Sequence, residues 1–287
     1  MRGKILSSKG NVYVVLGEDG IFYNVFPRGL LKFRNKNVMV GDECNIDDEN
    51  FSIEDILPRK NSLIRPKVSN VDQIFVMMSV KRPELSKELI FKFLTYVNMN
   101  NVEPKLILSK YDLLDDKSMY NDFIDELNKL GVEVFLISKY DESSILLLKE
   151  KLKNKTSMFM GQTGVGKSSF INMLDASFGR KEGEYSEVLH RGKHQTKEVI
   201  LLPYEGGYII DTPGFSSLDL DISKHDLAHF FPGFNKLYTS CFYTDCLHKN
   251  EKNCKIKEEM ANRLFSEETY DIYLKLLEEL PFERRKY

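Results

Sequence analysis

The stretch that decides the fold reads Gly161-Gln162-Thr163-Gly164-Val165-Gly166-Lys167-Ser168-Ser169, and it matches the phosphate-binding pattern G-x-x-x-x-G-K-[ST] at every position. Its glycines let successive backbone N–H groups converge on phosphate oxygens, Lys167 can reach the β and γ phosphates, and the Ser168 hydroxyl can ligate Mg²⁺. The stretch at 156–160 predicts a buried strand before the loop, and the pattern at 169–174 predicts a helix after it. The sequence therefore predicts a P-loop in which all nine residues bind a nucleoside polyphosphate.

A second phosphate-side motif lies downstream, in Tyr208-Ile209-Ile210-Asp211-Thr212-Pro213-Gly214. A hydrophobic strand that ends at Asp211 would place a carboxylate beside the Mg²⁺ ion. Gly214 would let a backbone N–H approach the γ-phosphate closely, because it has no side chain. An Asp-Thr-Pro-Gly sequence also forms ordinary turns. The P-loop upstream favours nucleotide binding, with Asp211 as a Mg²⁺ ligand and Gly214 as a phosphate contact.

Recognition of the base is predicted upstream of the P-loop, where two strand patterns end in polar residues. The first pattern ends in Ser109-Lys110-Tyr111-Asp112 and the second in Ser138-Lys139. Asp112 would accept hydrogen bonds from the ring N–H and the exocyclic amine of guanine, a donor pair that adenine cannot present. The stem of Lys110 would lie over the base. These six residues predict GTP as the nucleotide, although a Lys-x-Asp sequence after a strand also occurs in simple turns.

Four potential metal ligands lie close together in the sequence, at Cys241, Cys246, His248 and Cys254. Their spacing, C-x₄-C-x-H-x₅-C, offers three thiolates and one imidazole, which is a usual tetrahedral set for zinc. Because protein side chains would fill all four positions, the pattern predicts a structural zinc ion and no catalysis at this site. The alternative is a cluster of buried thiols without metal. The remaining cysteine, Cys44, stands alone, and we expect it to pack in a core.

The motifs follow one another in the order base, base, phosphate loop, switch and Mg²⁺ carboxylate, which is a circular permutation of the usual GTPase order. The chain thereby resembles the ribosome small subunit-dependent GTPase A (RsgA/YjeQ) family. Further marks of the resemblance are Arg191-Gly192-Lys193-His194-Gln195-Thr196 before the Asp211 motif, Asn70-Val71-Asp72-Gln73 at the start of the central domain, and the cysteine cluster. The resemblance covers essentially the whole chain.

The resemblance implies a GTPase that uses GTP, GDP and Mg²⁺ and holds one structural zinc ion. It also implies binding to the small ribosomal subunit and its rRNA late in subunit assembly, hydrolysis stimulated by the subunit, and release after hydrolysis. Other assembly factors would be further partners. The residues leave two other functions open. One is an ATP-using P-loop enzyme, against which Asp112 argues, and the other is a nucleotide-gated RNA-binding adaptor with negligible catalysis.

Three segments with different patterns divide the chain into predicted domains. Residues 1–64 carry five short strand patterns, which fit an OB-fold β-barrel that faces RNA. Strand and helix patterns alternate in residues 65–220, as in the mostly parallel sheet of an α/β fold, and we assign this segment to a circularly permuted P-loop GTPase domain. Residues 221–287 hold the zinc ligands and helical patterns at 256–264 and 267–280, which predict a zinc-binding, mainly helical domain.

A switch segment is predicted at residues 176–197, which are polar and interrupted by glycines. Thr196 would hold Mg²⁺ and the γ-phosphate in the triphosphate state. Phe215, the residue after the second phosphate-side motif, cannot orient a water molecule as glutamine does in many GTPases. We therefore assign catalysis to His194, Thr196 and Lys167, with His194 positioning the attacking water as the family resemblance implies. The alternative for His194 is contact with RNA or solvent.

Two residues depart from the pattern of the family. Gln195 stands where the family has threonine, but Thr196 is retained. Ser109 stands where the commonest guanine motif has asparagine, a residue that both contacts guanine and braces the phosphate loop. Serine is shorter, but Asp112 and Lys110 retain the larger discriminating features. We therefore expect the preference for GTP over ATP to persist.

Composition limits the remaining possibilities. The formal net charge of −2 gives no bulk electrostatic argument for a nucleic-acid partner, so any RNA contact must be local. The only dense basic stretch of the predicted barrel, at 26–36, combines four cations with two phenylalanines, which fits phosphate contact and base stacking or, alternatively, a solvated loop. No run of about 18 apolar residues could span a membrane, and the first residues lack the apolar core of a signal peptide. We expect a cytoplasmic monomer without membrane contact.

Overall fold

The computed structural model describes residues 1–29, 37–174, 199–211 and 222–282. Two compact units account for the chain. The first comprises Met1–Ile74, Ile145–Met160 and Gly166–Gly214, and the second comprises Phe75–Ser144, Gly161–Val165 and Phe215–Tyr287. Each unit therefore joins segments that are distant in sequence, and the predicted boundaries near residues 64 and 220 stay a prediction.

The first unit begins with a closed five-stranded barrel in the order β1-β2-β3-β5-β4. Its strands are β1 (Arg2–Lys9), β2 (Val12–Gly17), β3 (Phe22–Pro27), β4 (Glu43–Asp47) and β5 (Ser52–Ile56). Alternate side chains point inward, as the period of a β-strand requires, and they form a core of Ile5, Val15, Val25, Cys44, Ile46, Ile53 and Ile56. The barrel confirms the prediction of five short strands. Cys44 packs in this core as expected, and burial raises the pKa of its thiol to about 12.

The buried carboxylate of Asp42 links the barrel to the segment that follows it. The Asp42 side chain is fully buried and accepts hydrogen bonds from the Arg59 guanidinium at 2.6 and 2.8 Å, from the Ser69 hydroxyl at 2.6 Å and from the Met39 N–H at 2.8 Å. Two short strands, β6 (Ser62–Leu63) and β7 (Val68–Ser69), pair in this segment. A buried charge with this many partners holds its surroundings in one arrangement.

A six-stranded sheet has the order β10-β9-β8-β11-β13-β12. Its strands are β8 (Gln73–Ser79), β9 (Glu103–Ser109), β10 (Glu133–Ile137), β11 (Thr156–Gly161), β12 (Ile200–Tyr204) and β13 (Gly207–Asp211). The pairs β9/β10 and β11/β13 are parallel, and β12 is antiparallel to β13. Every residue of β8 and β11 is buried, which explains the apolar runs at 74–78 and 158–160 within them. The predicted α/β fold with a mostly parallel sheet is confirmed.

Among the described residues, four helices accompany these strands. They are α1 (Lys87–Met99), α2 (Asn121–Lys129), α3 (Glu142–Leu152) and α4 (Lys167–Leu174). The hydroxyl of Ser86 caps α1 by accepting a hydrogen bond from the Leu89 N–H at 3.2 Å. The apolar face of α1 is buried at Ile90, Phe93, Leu94 and Val97.

In the second unit, the chain after residue 221 forms α5 (Lys224–Phe230), α6 (Lys255–Ala261) and α7 (Glu267–Glu279). Their common core is aromatic. The Phe231 ring lies 4.8 Å from that of Phe91 on α1 and 5.3 Å from that of Tyr273 on α7, and the Phe234 ring lies 4.9 Å from Tyr273. This segment therefore packs against α1. Across the described parts of the chain, no helix is both long and apolar enough to cross a membrane.

Candidate nucleotide and metal sites

The P-loop connects the end of β11 to the start of α4, as the sequence predicts. Gly161 is required by a close approach, because a Cβ atom there would lie 2.1 Å from the carbonyl oxygen of Met77. Gly166 has a φ of +99°, which side-chain-bearing residues rarely adopt. The N–H of Phe170 donates to the Gly166 carbonyl at 2.9 Å and begins α4. The turn therefore places the N-terminus of α4, the positive end of the helix dipole, at the end of the loop, which suits an anion.

The side chains of the loop divide into buried and exposed members. Lys167 and Val165 are buried, whereas Thr163, Ser168 and Ser169 are exposed. The main chain of the loop is tightened by a hydrogen bond from the Val165 N–H to the Gln162 carbonyl at 3.4 Å. Exposed hydroxyls at the first turn of α4 can reach a phosphate-bound Mg²⁺ ion, as the P-loop pattern requires.

The first base motif is hydrogen-bonded to the P-loop main chain. The Ser109 Oγ lies 2.7 Å from the carbonyl oxygen of Val165. The ammonium group of Lys110 donates to the carbonyl oxygen of Gly164 at 2.9 Å and also to that of Arg82. Two consecutive residues of the base motif thus hold two consecutive carbonyl groups of the phosphate loop.

Asp112 presents a carboxylate that is only partly satisfied. It lies in a short 3₁₀ helix, Tyr111–Leu113, directly after β9. Its Oδ1 atom is buried and has no hydrogen-bond partner among the residues that the structure describes. An unpaired buried carboxylate oxygen is costly, and it fits a ligand that brings N–H donors. The donor edge of guanine is such a ligand.

The second base motif lies beside the first, because β9 and β10 are parallel and Ile137 pairs with Ser109. The Ser138 hydroxyl accepts the Tyr140 N–H at 3.1 Å. Lys139 is exposed, and its pKa is raised chiefly by the neighbouring Tyr140 hydroxyl and also by the negative charge of Asp112. The structure therefore brings together the six residues predicted near the base.

Several predicted site residues lie outside the described residues. They are His194, Thr196 and Gly214, and with them the predicted switch at 176–197 and Phe215. The backbone of Asp211 is described at the carboxyl end of β13, paired with Ile200. Because β13 is parallel to β11, this strand end points in the same direction as the strand that leads into the P-loop.

The four predicted zinc ligands come together in the second unit. Their ligand atoms all lie within 4.8 Å of one another, and the Nδ1 atom of His248 is 3.6 Å from the Cys241 Sγ and 3.4 Å from the Cys254 Sγ. The other ring nitrogen, Nε2, lies 3.1 Å from the Ala228 carbonyl oxygen, to which it can donate. This tautomer leaves the Nδ1 lone pair directed at the thiols, an arrangement that zinc-binding histidines use. The cluster therefore fits a tetrahedral zinc ion.

Protonation within the cluster also suits a metal. Burial lowers the pKa of His248 to about 4, so its imidazole is neutral at pH 7 and able to ligate. Burial raises the pKa of Cys246 to about 12 and raises that of Cys254. Zinc would replace the thiol protons when it binds.

Three side chains hold the loop that carries the metal ligands, and no sequence motif marks them. The hydroxyls of Tyr270 and Tyr273 on α7 donate to the carbonyl oxygens of His248 at 2.5 Å and of Leu247 at 2.7 Å. The Glu251 carboxylate accepts three backbone N–H groups of the loop at 2.7–2.9 Å. The only sequence signal for the tyrosines is their spacing of three on an amphipathic helix. Such outer groups orient metal ligands.

Comparisons with known proteins agree with this geometry. The family model described as RsgA GTPase matches residues 56–221. The small ribosomal subunit biogenesis GTPase RsgA of Halalkalibacterium halodurans is 34% identical, with 99% of each chain covered, and that of Clostridium acetobutylicum is 37% identical, with 100% of each covered. Among solved structures, YjeQ from Thermotoga maritima is 33% identical with a TM-score of 0.82 over 99% of each chain. YloQ, a circularly permuted GTPase, is 29% identical with a TM-score of 0.80 over 100% of this chain and 96% of that one. The chain belongs to the RsgA GTPase family.

Proposed function

We propose that this GTPase binds the small ribosomal subunit during its late assembly, hydrolyses GTP faster when the subunit is bound, and leaves after hydrolysis. The names of its relatives support the coarser part of the proposal, because they describe GTPases of small-subunit biogenesis. The finer parts are the stimulation by the subunit, the stage of assembly and the release. These depend on a switch that responds to the nucleotide.

One observation carries the nucleotide assignment. Ser109 and Lys110 are hydrogen-bonded to the carbonyl groups of Val165 and Gly164, and the adjacent Asp112 holds a buried oxygen without a partner in the described residues. A base-reading segment that is attached to the phosphate loop can sense the base and the phosphates of one ligand. A guanine offers the donor pair that an acceptor-only carboxylate needs.

The roles of the site residues follow from this assignment. The P-loop residues 161–169 and Gly214 bind the phosphates, residues 109–112 and 138–139 surround the base, and Lys167 neutralises phosphate charge. Mg²⁺ would be held by Ser168, Thr196 and Asp211, and it would neutralise charge that develops on the phosphates. His194 positions the attacking water. The zinc ion is structural and is held by Cys241, Cys246, His248 and Cys254.

The domain boundaries and the partners complete the proposal. Residues 1–64 and 221–287 contact rRNA, and residues 65–220 hydrolyse GTP. Exposed aromatic rings support RNA contact in both terminal segments: Phe26 is 52% and Phe242 71% exposed, and bases stack on such rings. We further infer a cytoplasmic monomer that meets other assembly factors on the subunit.

Phosphate release is the experiment that tests the proposal. The full chain is incubated with Mg²⁺ and GTP or ATP, each with and without purified small ribosomal subunits. We expect slow release from GTP alone, a much faster rate with subunits, and no comparable release from ATP. Equal rates with GTP and ATP would refute the nucleotide assignment. GTP-selective release that subunits do not change would instead refute the proposed partner. GTP-selective binding without release under any condition would favour a nucleotide-gated adaptor.

A replacement of the proposed water-positioning residue tests the catalytic assignment. His194→Ala should bind GTP and the subunit like the original chain but lose most of the subunit-stimulated rate. An unchanged stimulated rate would remove His194 from the mechanism.

A further inference from the structure

The hydroxyl group of Ser109 has no hydrogen left for a ligand. The side chain is buried, with 4% exposure. Its Oγ lies 2.7 Å from the Val165 carbonyl oxygen and 3.2 Å from the Met78 carbonyl oxygen. Both neighbours can only accept a hydrogen bond, and a serine hydroxyl carries a single hydrogen. Whichever carbonyl receives that hydrogen, Ser109 cannot also donate to a base.

Guanine has two edges that a protein can read. One edge presents N–H donors, and the other presents the acceptors O6 and N7. Asp112, whose carboxylate only accepts, suits the donor edge. Reading N7 would require a donor, and the Lys110 ammonium group uses two of its three hydrogens on the carbonyl oxygens of Gly164 and Arg82. An asparagine at position 109 would carry two N–H donors in addition to an acceptor.

We propose that this chain reads the donor edge of guanine with Asp112 and leaves N7 of the base unread, and that Ser109 is a positioning residue that holds the Val165 carbonyl. The inference rests on the proposed guanine-nucleotide site. In the commonest guanine motif, asparagine both contacts the base and braces the phosphate loop. Here Ser109 braces the loop and does not contact the base. This brace also explains how the loop keeps its shape with the shorter side chain.

Base analogues test the proposal on the unaltered chain. Affinities for GTP, 7-deaza-GTP and inosine triphosphate are measured in the presence of Mg²⁺ by competition against a fluorescent guanine nucleotide. 7-deaza-GTP, in which a C–H group replaces N7, should bind within about twofold of GTP. Inosine triphosphate lacks the amine that Asp112 would accept, so its affinity should fall by about tenfold or more. A loss of about fivefold or more with 7-deaza-GTP would overturn the proposal.

Variants at position 109 separate bracing from base reading. Ser109→Ala removes the brace, and both GTP and 7-deaza-GTP should lose affinity equally, so that their ratio stays near one. Ser109→Thr keeps the hydroxyl and should restore the affinity. Ser109→Asn adds a donor and should raise the preference for GTP over 7-deaza-GTP to about threefold to tenfold.

The outcomes distinguish this inference from the function on which it rests. Equal affinity for GTP and ATP would refute the guanine site itself. Selectivity for GTP together with strong dependence on N7 in the unaltered chain would refute only the role given to Ser109. A ratio that stays near one in a folded Ser109→Asn chain would also contradict it, because N7 would then be unread whatever residue stands at 109. If Ser109→Asn does not fold, the unaltered chain and the alanine and threonine variants still decide.

Discussion

At the residue scale, the site depends on which polar atoms still lack a hydrogen-bond partner. Among the described residues, a buried oxygen of the Asp112 carboxylate has no partner, whereas the buried carboxylate of Asp42 is fully engaged by Arg59, Ser69 and a backbone N–H. The same chemical group thus supports structure in one place and awaits a ligand in the other. The difference is visible only from the hydrogen-bond partners, because both residues are aspartates that follow a turn-like sequence.

Replacing Asp112 by asparagine should reverse the preferred base. Xanthine carries a carbonyl group where guanine carries its amine, so the amide of Asp112→Asn can donate to it. We expect GTP affinity to fall by about tenfold or more and xanthosine triphosphate affinity to rise, because a hydrogen bond to a charged group contributes about 1.5–3 kcal/mol. Both affinities are measured by competition with a fluorescent nucleotide.

The matched control for this replacement is Asp115→Asn in the same loop. The Asp115 side chain is 99% exposed and, within the described parts of the chain, its one ion pair is with Lys81 at 3.3 Å. Asp115→Asn should leave the affinities for GTP and for xanthosine triphosphate unchanged. If Asp112→Asn bound GTP as well as the original chain does, Asp112 would not read the base.

Some residues could be assigned from the sequence and others could not. The P-loop and the cysteine cluster carry their chemistry in fixed local spacing, so Gly161 and Cys241 were identified directly. The role of Ser109 depends on Val165, which is 56 residues away along the chain. Tyr270 and Tyr273 depend in the same way on the carbonyl groups of a distant loop. Local patterns do not encode such long-range contacts.

At the scale of elements, burial decided which strands and helices were predictable. β8 and β11 are buried throughout, and apolar runs at 74–78 and 158–160 indicate them. Between the strands the sequence predicts only that helical patterns alternate with them, without bounds for α2 and α3. In α3, Leu146 and Leu147 are both 62% exposed and interrupt any single apolar stripe, so the helical period is weak. The apolar face of α2 is short, because only Phe123 and Leu127 are buried in it.

The zinc loop is the element whose order should depend most on its ligand. Two buried thiols, the half-buried thiol of Cys241 and a buried imidazole would be poorly satisfied without an ion, so the chain should bind one zinc ion and lose thermal stability when a chelator removes it. Zinc content is measured by metal analysis, and unfolding by calorimetry. Cys254→Ser should abolish stoichiometric zinc binding.

The control for the zinc loop is Cys44→Ala, because Cys44 is a cysteine of the barrel core. It should retain one zinc ion per chain even though the replacement destabilises the barrel. Full zinc content in Cys254→Ser would contradict the four-ligand assignment, and loss of zinc from Cys44→Ala would contradict the placement of the site.

The contact between α1 and α7 should depend on pH through Glu88. Its carboxylate accepts hydrogen bonds from Lys275 at 2.6 Å and from Lys92 at 3.0 Å, and these two cations lower its pKa below the usual value. A carboxyl group whose pKa is lower in the folded state stabilises that state above its unfolded pKa, and this stabilisation is lost as the pH falls. Glu88→Gln should therefore reduce the free energy of unfolding at pH 7 but not at about pH 3.

The size of this effect should be below about 1 kcal/mol, because the Lys275 side chain is 63% exposed and solvent screens the pair. It is measured by urea unfolding at both pH values. Glu84→Gln is the control, since Glu84 is exposed and makes no ion pair within the described residues. Equal destabilisation by Glu88→Gln at both pH values would show that packing, and not charge, explains the effect.

At the scale of the whole molecule, each compact unit joins a terminal segment to part of the sheet. In the first unit, β1 of the barrel packs against β12, and the ammonium group of Lys4 lies 5.6 Å from the ring of Tyr208 on β13. β13 ends at Asp211, the proposed Mg²⁺ ligand. In the second unit, the zinc-binding segment packs against α1 and shares that unit with the base motifs. Each proposed RNA-binding segment is thus attached to one part of the proposed nucleotide site.

This attachment predicts that affinity for the small ribosomal subunit depends on the bound nucleotide. A ligand shifts an equilibrium only if it binds two states with different affinity, and the γ-phosphate is the group that differs between GTP and GDP. We expect the chain with a non-hydrolysable GTP analogue to bind subunits more tightly than the chain with GDP. Co-sedimentation with purified subunits measures both affinities.

The Asp112→Asn variant supplies a control, because two different nucleotides can be compared on the same variant protein. With this variant, a non-hydrolysable xanthosine triphosphate analogue should promote subunit binding, whereas the GTP analogue at the same concentration should not. That pattern would assign the effect to the nucleotide in this site, because nucleotide bound elsewhere, to the subunit for instance, would not follow the changed base preference. Equal subunit binding with the GTP analogue and with GDP, at saturating nucleotide, would contradict release by hydrolysis even if GTP hydrolysis itself were intact.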